Sequence, residues 1–256
     1  MENFLEMIRP PEDISTMGHH ITWLFNYTTV MNLIYFALVC GGIFGFSYFY
    51  HHKRHKKAYY THGNDRIHAF VTAGIGLAVF LSIDMMITVI SNNDFTKINL
   101  QFPDPKKEKV VRIEVLAQQW AWHFRYPGAS GEFRSKDDVV MTNKLVIPKG
   151  YKLLVHMTSK DVIHSLYFPN AKVKVDAIPG RVTRLWFEPT KTGIYDIACA
   201  EMCGTYHSLM SAKLHVLEWD EYERWLESSR TIATQVYDEQ NLDLVWGWPW
   251  QGENKI

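Results

Sequence analysis

The 256-residue sequence predicts two membrane-spanning helices, then an all-β domain, then one amphipathic C-terminal helix. Three observations predict this. No charged side chain occurs from Ile21 to Tyr50. A second apolar run extends from Ile67 to Ile90. From Val110 onward the pattern changes to short β-like runs.

The first run is long enough to cross a membrane. Val30 to Phe49 alone supplies the roughly 20 residues that a ~30 Å hydrocarbon layer requires of a helix. A core helix of a soluble protein rarely stays uncharged for so long. The second run is interrupted only by His68 near its start and Asp84 near its outer end, and membrane helices tolerate Gly74 and Gly76. Between the runs lies His51-His52-Lys53-Arg54-His55-Lys56-Lys57, followed by Arg66. The segment before the first run has Arg9 as its only cation, against Glu2, Glu6, Glu12 and Asp13. The positive-inside rule then places loop 51–66 in the cytoplasm and both termini on the outer face.

In the remainder, Val110–Leu116, Lys144–Ile147, Lys152–Met157, Val182–Phe187 and Ala212–Leu217 are strand candidates. Pro127-Gly128, Pro148-Lys149-Gly150, Pro169-Asn170 and Pro179-Gly180 punctuate them. This spacing predicts an antiparallel sandwich or barrel. Trp219–Ser229 reads as a helix with Trp219, Tyr222, Trp225 and Leu226 on one face. The expected organisation is an outer-face segment 1–20, a helical hairpin 21–92, a β domain 93–218, and a helix with a Trp-rich tail, 219–256.

Composition narrows the class. Apolar residues make up 47% and charged residues 21%, which excludes a disordered chain. Lys+Arg and Asp+Glu are 27 each, so the basic excess of a dedicated nucleic-acid binder is missing. Three cysteines exclude a disulfide-dense scaffold.

The densest chemistry lies in Cys199-Ala200-Glu201-Met202-Cys203-Gly204-Thr205-Tyr206-His207-Ser208-Leu209-Met210. Thiolate and thioether are soft ligands, and imidazole suits copper, zinc and iron. A disulfide would leave His207 and Met210 unexplained. A zinc site has no use for Met, and a mononuclear blue-copper site leaves one Cys surplus. Two thiolates beside His and Met suit two coppers bridged by sulfur, with a second His supplied from upstream. His123, His156, His164 and His215 are the candidates. His164 falls at a strand end, just before Pro169, where loops gather.

The order of motifs then becomes informative. Two spans precede Gln119-Trp120-Ala121-Trp122, Ser159-Lys160-Asp161-Val162-Ile163-His164-Ser165, Asp176-Ala177-Ile178-Pro179-Gly180-Arg181 and the Cys199–Met210 cluster. Over roughly residues 20 to 230 the chain resembles subunit II of haem–copper cytochrome c oxidases. The resemblance implies a cupredoxin Greek-key barrel holding a dinuclear copper A centre. It makes Cys199 and Cys203 the bridging thiolates, His164 and His207 the terminal imidazoles, and Met210 a weak thioether ligand. Glu201 would offer its backbone carbonyl to copper and its carboxylate to a magnesium shared with subunit I. Trp120 would be the exposed aromatic through which electrons enter.

The implied function is to take electrons from cytochrome c, or from a membrane-attached cytochrome, and pass them to haem in subunit I. Oxygen reduction and coupled proton translocation belong to the complex. The implied location is a bacterial inner membrane, with termini and copper domain on the periplasmic side; a mitochondrial inner membrane is the alternative. No Cys-x-x-Cys-His occurs, so no covalent haem c is expected in this chain. The competing readings are a copper A subunit of a nitric-oxide reductase and a membrane-anchored copper storage or delivery protein. One departure stands out. The family usually opens its second span with Glu followed by Trp-Thr, whereas His68-Ala69-Phe70-Val71-Thr72 stands here.

Overall fold

The computed structural model describes residues 10–236 apart from 56, 58, 59 and 61. The tail with Trp246, Trp248 and Trp250 lies outside the described residues. The chain divides into a helical unit, His20–Lys97, and a β unit that combines Met1–His19 with Ile98–Ile256.

In the helical unit, α1 spans Gly18–Phe49. The second helix starts with α2, Arg66–Val79, passes through a π-turn at Phe80–Asp84, continues as α3, Met85–Phe95, and ends in a π-turn at Thr96–Leu100. Both are long and apolar enough to cross a membrane, at 32 and 35 residues. Their side chains are apolar all round, so Leu33, Phe36 and Phe44 stay exposed, as lipid-facing residues must. Polar contacts at Ser82 join the two helices. The Tyr27 hydroxyl donates to the Ser82 carbonyl, and the Tyr35 and Ser82 hydroxyls lie 2.9 Å apart. The second helix is longer than its apolar run, so Asp84 sits in a π-turn near its middle, not at its end. His68 pairs with the Asp65 carboxylate one turn earlier.

The β unit is a two-layer sandwich. Its strands are β1 Val110–Gln118, β2 Ala121–Tyr126, β3 Val139–Thr142, β4 Lys144–Pro148, β5 Lys152–Ser159, β6 His164–Phe168, β7 Val173–Ala177, β8 Thr183–Phe187, β9 Gly193–Cys199 and β10 Ser211–Leu217. One sheet has the order β3-β2-β1-β5-β8 and the other β4-β10-β9-β6-β7. Each sheet contains one parallel pair, β1 with β5 and β4 with β10, so the purely antiparallel expectation is corrected. The reason is connectivity. Parallel neighbours need a long crossover, and here the chain leaves one sheet for the other between them.

Alternation along the strands builds the core. On β2, Trp122, Phe124 and Tyr126 are fully buried; on β1, Ile113, Val115 and Ala117 are too. The opposite face of the same sheet carries a buried ion cluster. Arg125 Nη1 lies 3.4 Å from the Glu114 carboxylate, and Arg125 Nε lies 3.7 Å from Asp138.

Two flanking segments close the unit. Helix α4, Trp219–Val236, buries Tyr222 and sets Trp225 against Tyr126, with ring centres 5.1 Å apart. Trp219 stacks on Tyr151. Residues 12–16 are laced into the barrel ahead of α1. The Ile14 N–H donates to Asn170 carbonyl, Thr16 N–H to Glu188 carbonyl, and Thr190 N–H to Ile14 carbonyl, while the Ile14 side chain is fully buried. Gly18 closes this strap: a Cβ there would fall 1.9 Å from an Asp13 carboxylate oxygen.

Removing one partner of a buried ion pair leaves an uncompensated charge, at a cost of about 3–5 kcal/mol. Arg125→Met is therefore expected to lower the unfolding free energy by about that amount. Adding Glu114→Leu should recover most of it. Unchanged denaturation midpoints in Arg125→Met, followed by near-ultraviolet circular dichroism, would show that the cluster is not structural.

Candidate metal centre

The site forms where two antiparallel neighbours end. Strand β6 pairs with β9 through Leu166 opposite Cys199, which sets His164, the first residue of β6, beside Cys199, the last residue of β9. The Ala200 N–H donates to the Ser165 carbonyl (2.9 Å) and extends that pairing into the loop. The loop returns through a short 3-10 turn, His207–Leu209, and Met210 immediately precedes β10.

The donor atoms converge. The sulfurs of Cys199 and Cys203 are 3.8 Å apart. Cys203 Sγ lies 3.5 Å from His207 Nδ1 and 3.8 Å from Met210 Sδ. Ligand atoms of His164, Cys199 and Cys203 all fall within 4.8 Å of one another. The Cys199 thiol points at the Glu201 carbonyl (3.3 Å), while the Glu201 side chain is exposed. His164, Cys203 and Met210 are buried. All three cysteines of the chain are free thiols, so no disulfide competes.

Local electrostatics prepare the thiols. Burial raises the Cys199 pKa, but hydrogen bonds from His164 and the backbone of Glu201 and Ser165 outweigh it and bring the thiol to about 6. Cys203 is pushed up to about 11 by burial and then by the charge on Cys199. The two therefore titrate as a pair that readily loses one proton and holds the second. A cation placed between them would release both.

The residues present fit copper. His164 Nε2 is engaged by Asp161 Oδ1 at 2.8 Å, while its buried Nδ1 has no partner other than the neighbouring Cys199 thiol. A buried ring nitrogen beside two thiols is a ligand position. Two sulfurs, two imidazoles and a thioether are the soft donor set that copper selects, and the thioether argues against zinc.

The other histidines lie elsewhere. His123 Nδ1 meets the Thr142 hydroxyl at 3.1 Å. His156 is held to a pKa of about 3 by burial and by Arg184 and Arg112. His215 lies on β10, its pKa lowered by burial and by Lys144 and Lys213.

Trp120 sits in the turn between β1 and β2, not on a shared strand face with Trp122. Its side chain is half-buried rather than fully exposed. Its ring stands edge-on to Tyr206, centres 4.7 Å apart, next to His207. A Cβ on Gly204 would come within 3.3 Å of the Trp120 ring, so the indole lies against the ligand loop itself. Two residues that sequence reasoning missed tie these parts together. Gln119 Nε2 donates to the Cys203 carbonyl (2.7 Å), and the Gln119 N–H donates to Asp161 Oδ2 (2.6 Å). Asp161 thus bridges the Trp120 turn to His164. Its position three residues before His164 was visible, but nothing in the spacing assigned it an orienting role.

Asp137, Asp138 and Asp161 each already have a partner within the β unit: Asp138 is buried beside Arg125, Asp137 accepts the Ala129 N–H, and Asp161 holds His164. The rim of the site is instead apolar: Ile163, Met202, Tyr206 and Leu209 are exposed, Met202 and Leu209 by more than 70%.

Known proteins share this plan. Residues 111–217 match the family described as "Cytochrome C oxidase subunit II, periplasmic domain". The alternative cytochrome c oxidase subunit 2 of Bradyrhizobium diazoefficiens is 31% identical over 206 residues, which are 72% of this chain and 71% of that one. Cytochrome c oxidase subunit 2 of Alkalihalophilus pseudofirmus is 30% identical over 241 residues, 88% of this chain and 67% of that one. Among solved structures, the periplasmic domain of subunit II of cytochrome oxidase of Bradyrhizobium japonicum is 29% identical, covers 48% of this chain and 94% of that chain, and has a TM-score of 0.43. Similarity at this level along most of both sequences means that the chain belongs to the cytochrome c oxidase subunit II family.

Proposed function

We propose that this chain is the electron-accepting subunit of a haem–copper terminal oxidase in a bacterial inner membrane. One observation carries the reading. Cys199, Cys203, His207 and Met210 from one loop converge with His164 from a neighbouring strand, setting a buried ring nitrogen beside two thiols. These residues, with the carbonyl of Glu201, would hold dinuclear copper A. Such a centre, when bound, would supply storage of one electron at a time.

The chain's own residues do the rest. The paired sheets fix the ligands at strand ends, and Asp161 sets the His164 ring through its Nε2. Burial of Met210 and Cys203 keeps water from the sulfurs, which tunes the potential. Trp120 receives electrons from cytochrome c or a membrane-attached cytochrome. Its contacts with Tyr206 and with the Gly204 backbone give a short packed route to the ligand loop. The exposed apolar rim offers a docking surface for that donor, in place of the acidic excess that would steer a basic one. Glu201 keeps its exposed carboxylate for a magnesium shared with subunit I, where the electron passes to haem and oxygen is reduced with proton translocation.

The strap at residues 12–16 supports the topology. It is hydrogen-bonded into the β unit, so the segment before α1 shares a side of the membrane with that unit. Two spans between them return the chain to the same face. The positive loop then lies in the cytoplasm, and the copper domain in the periplasm.

Cys203→Ser is expected to abolish the dinuclear centre while the helices still insert. Electron paramagnetic resonance should lose the pattern of one spin shared by two coppers, and an unchanged spectrum would exclude Cys203 as a bridge. Trp120→Ala is expected to slow electron uptake from the natural donor at least about tenfold, a change of ~1.4 kcal/mol in the barrier, with copper content unchanged. Stopped-flow reduction at the wild-type rate would remove Trp120 from the route.

A further inference from the structure

The strongest unassigned feature lies at the far end of the first span. No acidic residue occurs between Asp13 and Asp65, yet Lys53, Arg54, Lys56 and Lys57 fall inside that stretch, and Arg66 follows it. The chain leaves α1 in a fixed turn. The His51 carbonyl accepts the N–H groups of Arg54 (2.8 Å) and His55 (3.1 Å), and His51 Nδ1 accepts the Lys53 N–H (3.3 Å). This turn folds the two cations back toward the helix. The Arg54 guanidinium comes to rest 3.8 Å from the centre of the Tyr48 ring.

Phe44, Ser47, Tyr48, His51, Lys53 and Arg54 together line an open groove of about 490 Å³. Its floor is aromatic and its rim is cationic, with a hydroxyl from Ser47 between them. Phe44 and Tyr48 remain 73% and 59% exposed even with the Arg54 guanidinium over the Tyr48 ring, so the floor stays largely open. A fully polar anion would leave those rings unused, and an acyl chain alone would leave the cations unused. The ligand that satisfies both is amphiphilic and negative. The groove opens where an apolar helix of membrane-spanning length ends, at the depth of the lipid headgroups.

We propose that this groove binds one anionic phospholipid. Lys53 and Arg54 hold its phosphate, and Phe44 and Tyr48 receive the upper part of its acyl chain. The inference rests on α1 crossing the membrane and is independent of copper, so its failure would leave the electron-transfer reading untouched.

Native mass spectrometry of the full chain in detergent, titrated with phosphatidylglycerol or phosphatidylcholine, tests the proposal. The wild type should retain one phosphatidylglycerol at concentrations where phosphatidylcholine is lost. An interfacial cation contributes about a fivefold gain in affinity, so Lys53→Gln with Arg54→Gln should weaken phosphatidylglycerol binding roughly 30-fold. Lys57→Gln with Arg66→Gln removes the same charge outside the groove and should change binding less than about threefold. Equal losses in both double variants would mean diffuse attraction and overturn the site. Undiminished binding in the first variant would overturn it as well. Displacement of the lipid by millimolar inorganic phosphate would show a phosphate site instead of a lipid site.

Discussion

The hydrogen-bonded pairing of β6 with β9 is the constraint on which the rest depends. Strand β6 begins at His164 and β9 ends at Cys199; their register sets Leu166 opposite Cys199, so His164, two residues from Leu166 on the same strand face, has its ring within reach of the thiol. A shift of β6 by one residue would turn His164 to the opposite face, away from Cys199. The sandwich core holds that register, since Leu166, Phe168 and Ile197 are buried on the same two strands. The loop between β9 and β10 then needs only to close on itself to bring Cys203, His207 and Met210 to the same point. The cupredoxin-like barrel is thus a rigid frame for one loop and one strand end.

A second consequence concerns charge. The chain is neutral overall, and after Gln101 about 20 acidic and about 20 basic side chains balance. Apart from the exposed Glu201, the acids described above are committed internally. Asp161 orients a ligand, and Asp138 faces Arg125 inside the sheet. What surrounds the donor loop is exposed Ile163, Met202, Tyr206 and Leu209. Recognition of an electron donor would therefore depend on apolar contact more than on long-range steering. A run of one sign of charge lies instead in the other unit, in the loop after α1.

Much of this was legible in the sequence. The spans, the change to β pattern and the ligand cluster stood out because each has a strong local signature: length without charge, alternation, and soft ligands at close spacing. The five strand candidates all fall on strands, and the apolar face of α4 packs as its period requires. What was not legible depends on non-local pairing. The parallel pairs β1–β5 and β4–β10 join segments far apart in sequence. Strand β7 is only five residues long, and β9 places exposed Ile194 and Asp196 on the same face, so neither run stands out. The strap buries one large apolar side chain, Ile14, in an otherwise polar segment, and no periodicity marks it. Gln119 and Asp161 act through hydrogen bonds that exist only once the fold has brought three loops together.

The central claim is that one site in this chain holds two coppers sharing one electron. Copper analysis combined with electron paramagnetic resonance on the isolated full chain, purified without its partners, tests it most directly. The account predicts two coppers per chain and a single unpaired spin divided equally between both nuclei. One copper per chain, or a spin confined to one nucleus, would contradict it.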